Sequence, residues 1–103
     1  MINLSELEEY VLLAILKLDG KGYGANIREE LEEAIGKTIS IGALYATFDR
    51  LERKGLVKSW QGEATPERGG RAKRYFKIES SGKEALKEAQ RIRLRLVPNY
   101  SLS

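Results

Sequence analysis

A helix-period run capped by Ser40 leads straight into two alternating segments joined by a glycine-rich cationic tip, and few folds accommodate that order. Thr38-Ile39-Ser40-Ile41-Gly42-Ala43-Leu44-Tyr45 opens the run, and Lys54-Gly55 closes it. Ser40 is the expected N-cap of a helix over about 41–54, with Gly55 as its stop. Ile41, Leu44, Phe48 and Leu51 recur at i, i+3, i+7 and i+10, one expected buried stripe. Gly42, Ala43, Ala46, Thr47 and Arg50 lie off that stripe, and Tyr45 sits at its margin. The expected exposed face near the helix start is therefore small and smooth.

Leu56 to Gln61 and Lys73 to Ile78 read as the two strands of a hairpin. Between them lies Arg68-Gly69-Gly70-Arg71. From Arg68 to Lys77 there are five bases (Arg68, Arg71, Lys73, Arg74, Lys77) and no acid. Alternation sends Arg71, Lys73 and Tyr75 to one face, and Ala72, Arg74 and Phe76 to the other. Bases on both faces fit a projecting tip that clamps phosphates or enters a minor groove. A solvated edge hairpin, protected by charge from edge-to-edge pairing, is the other reading. Gly69-Gly70 favours the first, because a bare backbone can pass close to a duplex.

A small-faced helix beside a cationic hairpin suits double-stranded DNA. The residues expected to face it from the helix are Ser40, Gly42, Ala43, Tyr45, Ala46, Thr47 and Arg50. Arg68, Gly69, Gly70, Arg71, Lys73 and Arg74 are expected to face it from the hairpin. Thr47 and Arg50 are the expected readers of base edges, since arginine suits guanine and a threonine methyl suits thymine. The Tyr45 hydroxyl can reach a phosphate while its ring packs inward. Asp49 reads as a partner for Arg50 or Arg53. Trp60 reads as a core cover at the base of the hairpin, with a stacking platform for a planar ligand as the other reading.

The flanking segments fit around this unit. Ser5 and Glu8 form a capping box. The helix they open is apolar over more than one stripe, at Leu7, Tyr10, Val11, Leu13, Ala14, Ile15 and Leu18. A helix of that kind is buried on more than one side, which points to a partner subunit. A second helix is expected from about Ala25 to Ile35, with Ile27, Leu31, Ala34 and Ile35 inward and Gly36 as C′. Lys37 to Ile39 is expected to add a short strand to the hairpin. A last helix starts at Ser80 or Ser81 and ends by Pro98, with Ala85, Leu86, Ala89, Ile92 and Leu96 in period.

With 103 residues the chain is expected to be one domain with a modest core. There is no cysteine and no histidine, which removes thiolate chemistry, the commonest metal ligand and the usual proton shuttle together. No catalytic constellation, metal site or cofactor site can be assembled, so an enzyme is not expected. No apolar run approaches the ~20 residues of a membrane span, and no basic segment opens the chain. The expectation is a cytoplasmic protein without membrane contact. The net charge of +3 is unevenly spread: eight acids and three bases through Gly36, seven acids and fifteen bases from Lys37 onward. Such polarity suits docking on a polyanion by one face, though a basic surface serving solubility alone gives the same count.

The expected fold is mainly α with a small β-hairpin wing, a winged helix-turn-helix in the order α-α-β-α-β-β-α. Its expected division is a DNA-binding unit over 1–80, a dimerisation helix over 81–98 and a tail over 99–103. Five spaced blocks also resemble the PadR family of bacterial transcriptional regulators. They are Tyr23-Gly24, Ser40 to Tyr45, Leu51-Glu52-Arg53-Lys54-Gly55-Leu56-Val57, Arg68 to Phe76, and Ser81-Gly82-Lys83-Glu84-Ala85-Leu86. The resemblance spans about 4–86. It implies a homodimeric repressor acting on an inverted repeat, with Tyr45 at the DNA backbone and Arg71, Lys73 and Arg74 in the wing. It also implies pairing of subunits through the C-terminal and first helices, here Leu7, Val11, Ala85, Leu86, Ala89, Ile92 and Leu96. A small-molecule inducer of unknown identity is left open. The competing class is a winged helix that binds protein and no nucleic acid, for which an exposed apolar patch and a weakly charged wing are expected.

Overall fold

The computed structural model describes residues 3–64 and 72–98. The expected wing-tip residues Arg68, Gly69, Gly70 and Arg71 and the tail over 99–103 lie outside the described residues. Four helices and three strands follow in the order α1 (Glu6–Leu18), β1 (Gly22–Tyr23), α2 (Gly24–Ile35), α3 (Ile41–Arg53), β2 (Val57–Ala64), β3 (Ala72–Ile78) and α4 (Ser80–Leu96). The class is the expected one, mainly helical with a small antiparallel sheet.

Local chemistry sets most boundaries. At α1 the Ser5 hydroxyl accepts the Glu8 amide, and the Glu8 carboxylate accepts the Ser5 amide, so two otherwise orphaned donors are satisfied. Ser40 accepts the Ala43 amide and starts α3. Gly36 ends α2 at φ 77°, a left-handed conformation that a side chain would strain.

The sheet order is β1-β3-β2, antiparallel throughout. Trp60 lies opposite Tyr75 and Ser59 opposite Phe76, with an irregularity between Gln61 and Ala64. The third strand is Gly22–Tyr23, paired to Phe76 and Tyr75, not the expected Lys37–Ile39 segment. That segment finds its partners on α2. The Ile39 amide donates to the Glu32 carboxylate at 2.7 Å, and the Ile39 carbonyl accepts from Arg28 Nε at 2.9 Å. Backbone groups satisfied by side chains need no ladder.

One core lies between the helices and the inner face of the sheet. Phe48 and Phe76 are fully buried with ring centroids 4.2 Å apart, among Leu12, Ile15, Ile27, Leu44, Leu51 and Leu56. Each such side chain stabilises the fold by about 1.5–3 kcal/mol through burial. Ile41 corrects the expected stripe: it is 57% exposed, because the first residue of α3 lies beyond the reach of this core.

The subunit-contact expectations divide. Val11 and Ala85 are buried within the protomer, and Leu7 and Leu86 are partly buried against its core, Leu86 also facing an open groove. Ile92 and Leu96 are exposed, as are Leu94 and Val97. Across on α1, Leu13 and Leu16 are exposed on the side away from Val11. They line a groove of about 360 Å³ with Leu86, Glu9 and Arg93. The last turns of α4 project from the body: residues 91–98 are all exposed, and the radius of gyration is 15.1 Å, against about 13 Å for a compact domain of this length.

Candidate nucleic-acid interface

The outward face of α3 is formed by residues one helical turn apart. Gly42, Ala46, Asp49 and Arg53 share a stripe, with Ala43 and Tyr45 beside it, and all six are exposed. No atom within 4 Å would oppose a Cβ at Gly42, so the helix start is open to its surroundings. A helix is about 10–12 Å across with side chains, and small residues bring its axis closer to whatever it meets.

Of the two expected base readers, Thr47 is placed otherwise and Arg50 stays half-exposed. Thr47 is wholly buried; its hydroxyl donates to the Ala43 carbonyl at 2.8 Å and accepts from Arg50 Nη2 at 3.0 Å. The hydroxyl is spent on its own helix, and the expectation that Thr47 reads a base is corrected. Arg50 leans to the same side, with Nε 3.9 Å from a Glu8 carboxylate oxygen. Tyr45 is 42% exposed, and its ring meets Phe48 edge-on with centroids 5.3 Å apart. Its hydroxyl lies so close to Gly24 that a Cβ there would stand 2.5 Å away. Gly24 is thus the residue that lets Tyr45 cross to α2.

The far end of α3 is anchored on α1. Lys54 Nζ donates to Glu8 Oε2 at 2.6 Å, while Glu8 is itself buried. Burial alone raises the pKa of this carboxyl. The Lys54 ammonium and the Ser5 amide and hydroxyl outweigh it and hold the pKa below the ordinary carboxylate value.

Arg74 joins the sheet to α3. Its Nη2 donates to Glu52 Oε1 at 2.7 Å, its Nε to Ser59 Oγ at 3.2 Å, and its Nη1 lies 3.6 Å from Asp49 Oδ1. The guanidinium also lies over the Phe76 ring at 4.9 Å. Ser59 in turn donates to Glu52, and that hydrogen bond, with the Arg74 charge, lowers the Glu52 pKa. Arg74 therefore faces inward as a brace instead of outward with the wing. Asp49 pairs with Arg74, not with Arg50 or Arg53 as expected.

On the outer face of the sheet Trp60 stacks on Tyr75, with centroids 6.1 Å apart, and Tyr75 meets Tyr23 edge-on. Lys73 Nζ sits 4.4 Å above the Tyr23 ring. Lys58 and Lys77 flank these aromatics and are exposed. Trp60, the expected core cover, lies instead on this outer face, 40% exposed and stacked on Tyr75.

Sequence reasoning missed the Glu8–Lys54 and Arg74–Glu52 pairs, whose members lie 46 and 22 residues apart. No local spacing signals such contacts. Among the described residues no group of acids could hold a metal ion, and no helix is long and apolar enough to cross a membrane.

This arrangement has relatives. Residues 12–88 match the family model described as the transcriptional regulator PadR-like family. The chain belongs to the PadR-like family of transcriptional regulators. An uncharacterised protein of Lysinibacillus sphaericus is 34% identical to this PadR-like chain over 84 residues, covering 80% of it and 72% of the relative. The PadR-like transcription factor from Bacteroides fragilis superposes with a TM-score of 0.75 at 27% identity, covering 87% of this chain and 82% of the other. RosR of H. salinarum shares the fold, with a TM-score of 0.74 at 23% identity over 96% of this chain and 82% of its own. The PadR-like match thus reaches from α1 into α4 and includes the whole of α3 and the sheet.

Proposed function

We propose that this PadR-like regulator is a homodimeric repressor that binds double-stranded DNA, with α3 in the major groove and the hairpin wing on the flanking phosphates. The observation that carries the reading is the exposed, small-residue face of α3 set beside the cationic sheet. A major groove about 12 Å wide admits one helix, and Gly42, Ala43 and Ala46 let the backbone come near its floor. Ser40 and Tyr45 are then placed at the groove edge, where hydroxyls suit phosphate oxygens. Lys73 is the wing contact among the described residues, Arg68, Gly69, Gly70 and Arg71 are proposed as wing residues from the sequence alone, and Arg74 braces β3 against α3.

The dimer reading rests on the projecting end of α4 and the Leu13–Leu16 groove. Ile92, Leu94 and Leu96, with Ala89 one turn before Ile92 on α4, supply apolar side chains, and the partner's groove supplies the seat. Residues 1–80 would bind DNA and 81–98 would pair the subunits. A two-fold dimer implies an inverted repeat with half-sites about 34 Å or a multiple apart. Such a repressor would act in the cytoplasm, and an inducer, if one exists, has no assigned seat.

Affinity selection of genomic fragments with the purified protein tests the reading. The expected result is a set of promoter fragments sharing one inverted repeat, whose reporter transcription rises when the gene is deleted. Failure to enrich any fragment at low salt contradicts it.

A further inference from the structure

We propose that Asp49 is the residue of α3 that discriminates between bases, selecting cytosine at one symmetric position in each half-site. The inference rests on the DNA-binding reading above and deepens it by naming the determinant of specificity.

On the outward face of α3 most other side chains are engaged or lack polar atoms. Thr47 is buried with its hydroxyl engaged, and Arg50 is turned towards Glu8. Gly42, Ala43 and Ala46 have no polar side-chain atom. The Tyr45 hydroxyl lies against Gly24. Asp49 remains, two turns after Gly42 on the same stripe, with 60% of its side chain exposed. Arg53 follows one turn later, nearer the helix end, where a backbone phosphate is the closer target.

An unbraced carboxylate on this face would be repelled by the phosphates, and would turn away from the groove. Here Arg74 reaches across from β3, with Nη1 3.6 Å from Asp49 Oδ1, while Glu52 and Ser59 hold its other nitrogens. The cation, 3.6 Å from one carboxylate oxygen, offsets the local repulsion and favours the carboxylate's place on this face. Arg74 is therefore a positioning residue, and Asp49 is the reader.

The chemistry of the reader selects the base. An ionised carboxylate only accepts hydrogen bonds. Guanine presents two acceptors in the major groove, and thymine an acceptor and a methyl group. Adenine offers an amino donor beside the N7 acceptor, so a carboxylate meets attraction and repulsion together. Cytosine presents its N4 amino donor and no acceptor. It is the base that an acceptor-only side chain favours without penalty.

Binding-site selection from randomised duplexes, with the full chain, provides the test. Wild type is compared with Asp49→Asn, Asp49→Ala and Arg74→Lys, each checked for an unchanged circular dichroism spectrum. Wild type should show a cytosine at one position in each half-site. Asp49→Asn should move that position to adenine, whose N6 and N7 match the amide, and Asp49→Ala should lose preference there by about five- to a hundredfold, the rest of the motif standing. Arg74→Lys, which keeps the charge but not the fork, should weaken the preference at that position. An unchanged motif in both Asp49 variants overturns the inference and leaves DNA binding intact. A wild-type protein that enriches no motif overturns the DNA-binding reading itself, and this inference with it.

Discussion

Lys54, at the C-cap of the outward-facing helix α3, donates to the buried carboxylate of Glu8 at 2.6 Å, and so fastens that helix to the first turn of α1. Glu8 serves two elements at once, since its other oxygen accepts the Ser5 amide. A Glu8→Gln variant keeps an acceptor for Ser5 but leaves the ammonium without a counter-charge. It should lose about 1–3 kcal/mol of stability in urea denaturation at neutral pH.

The same carboxylate sets a pH dependence. Its folded pKa lies below the ordinary 4.5, so the unfolded chain binds the proton more readily. The stabilisation is complete above 4.5 and is lost as pH falls through the folded value. Wild-type stability should therefore fall more steeply below 4.5 than that of Glu8→Gln, as read by denaturation midpoints across the acid range.

Gly82 lies on the first turn of α4, where a Cβ would press on the Leu56 carbonyl oxygen and stand 2.7 Å from Ile78 Cγ1. The neighbour is backbone and cannot swing aside. Gly82→Ala should destabilise by about 1–3 kcal/mol, although alanine is the better helix former. A thermal melt equal to that of the wild type would show that α4 can shift freely at its start.

The limits of the sequence are visible in particular residues. Caps at Ser5, Ser40 and Gly36 were legible because a cap is a local pattern, and so were the strands around Trp60 and Tyr75. The strand at Gly22–Tyr23 was not, because its partner lies more than 50 residues away. Ile41 left its expected place because the first residue of α3 lies beyond the core, and Thr47 left its own for another reason. Periodicity gives the spacing of a buried stripe but not the direction of the neighbours, and α1 lies on the Thr47 side of α3. Arg74 read as a free wing base until Glu52, Ser59 and Asp49 were brought around it.

Arg74→Ala should loosen the angle between sheet and α3. Its ion pair is about a third exposed, so screening limits the stability loss to about 1 kcal/mol. The larger effect should fall on DNA, with affinity reduced on the order of tenfold or more in a fluorescence anisotropy titration. Equal affinity would mean that the brace does not set the wing.

The exposed apolar residues predict the assembly. Leu13→Glu with Leu16→Glu places two charges in the groove, and truncation before Ile92 removes its proposed occupant. Each change should convert a dimer into a monomer at micromolar concentration in sedimentation equilibrium, with the helical signal of the body retained. A dimer that survives both changes would put the interface elsewhere.

The most direct measurement is the salt dependence of binding to a duplex carrying the selected site. Three or four phosphate contacts from each of two protomers give a slope of log K against log salt of about −5 to −7, so a fourfold rise in salt should weaken binding by about 10³–10⁴. A slope near zero, or no binding to duplex DNA at low salt, would contradict the account at its centre.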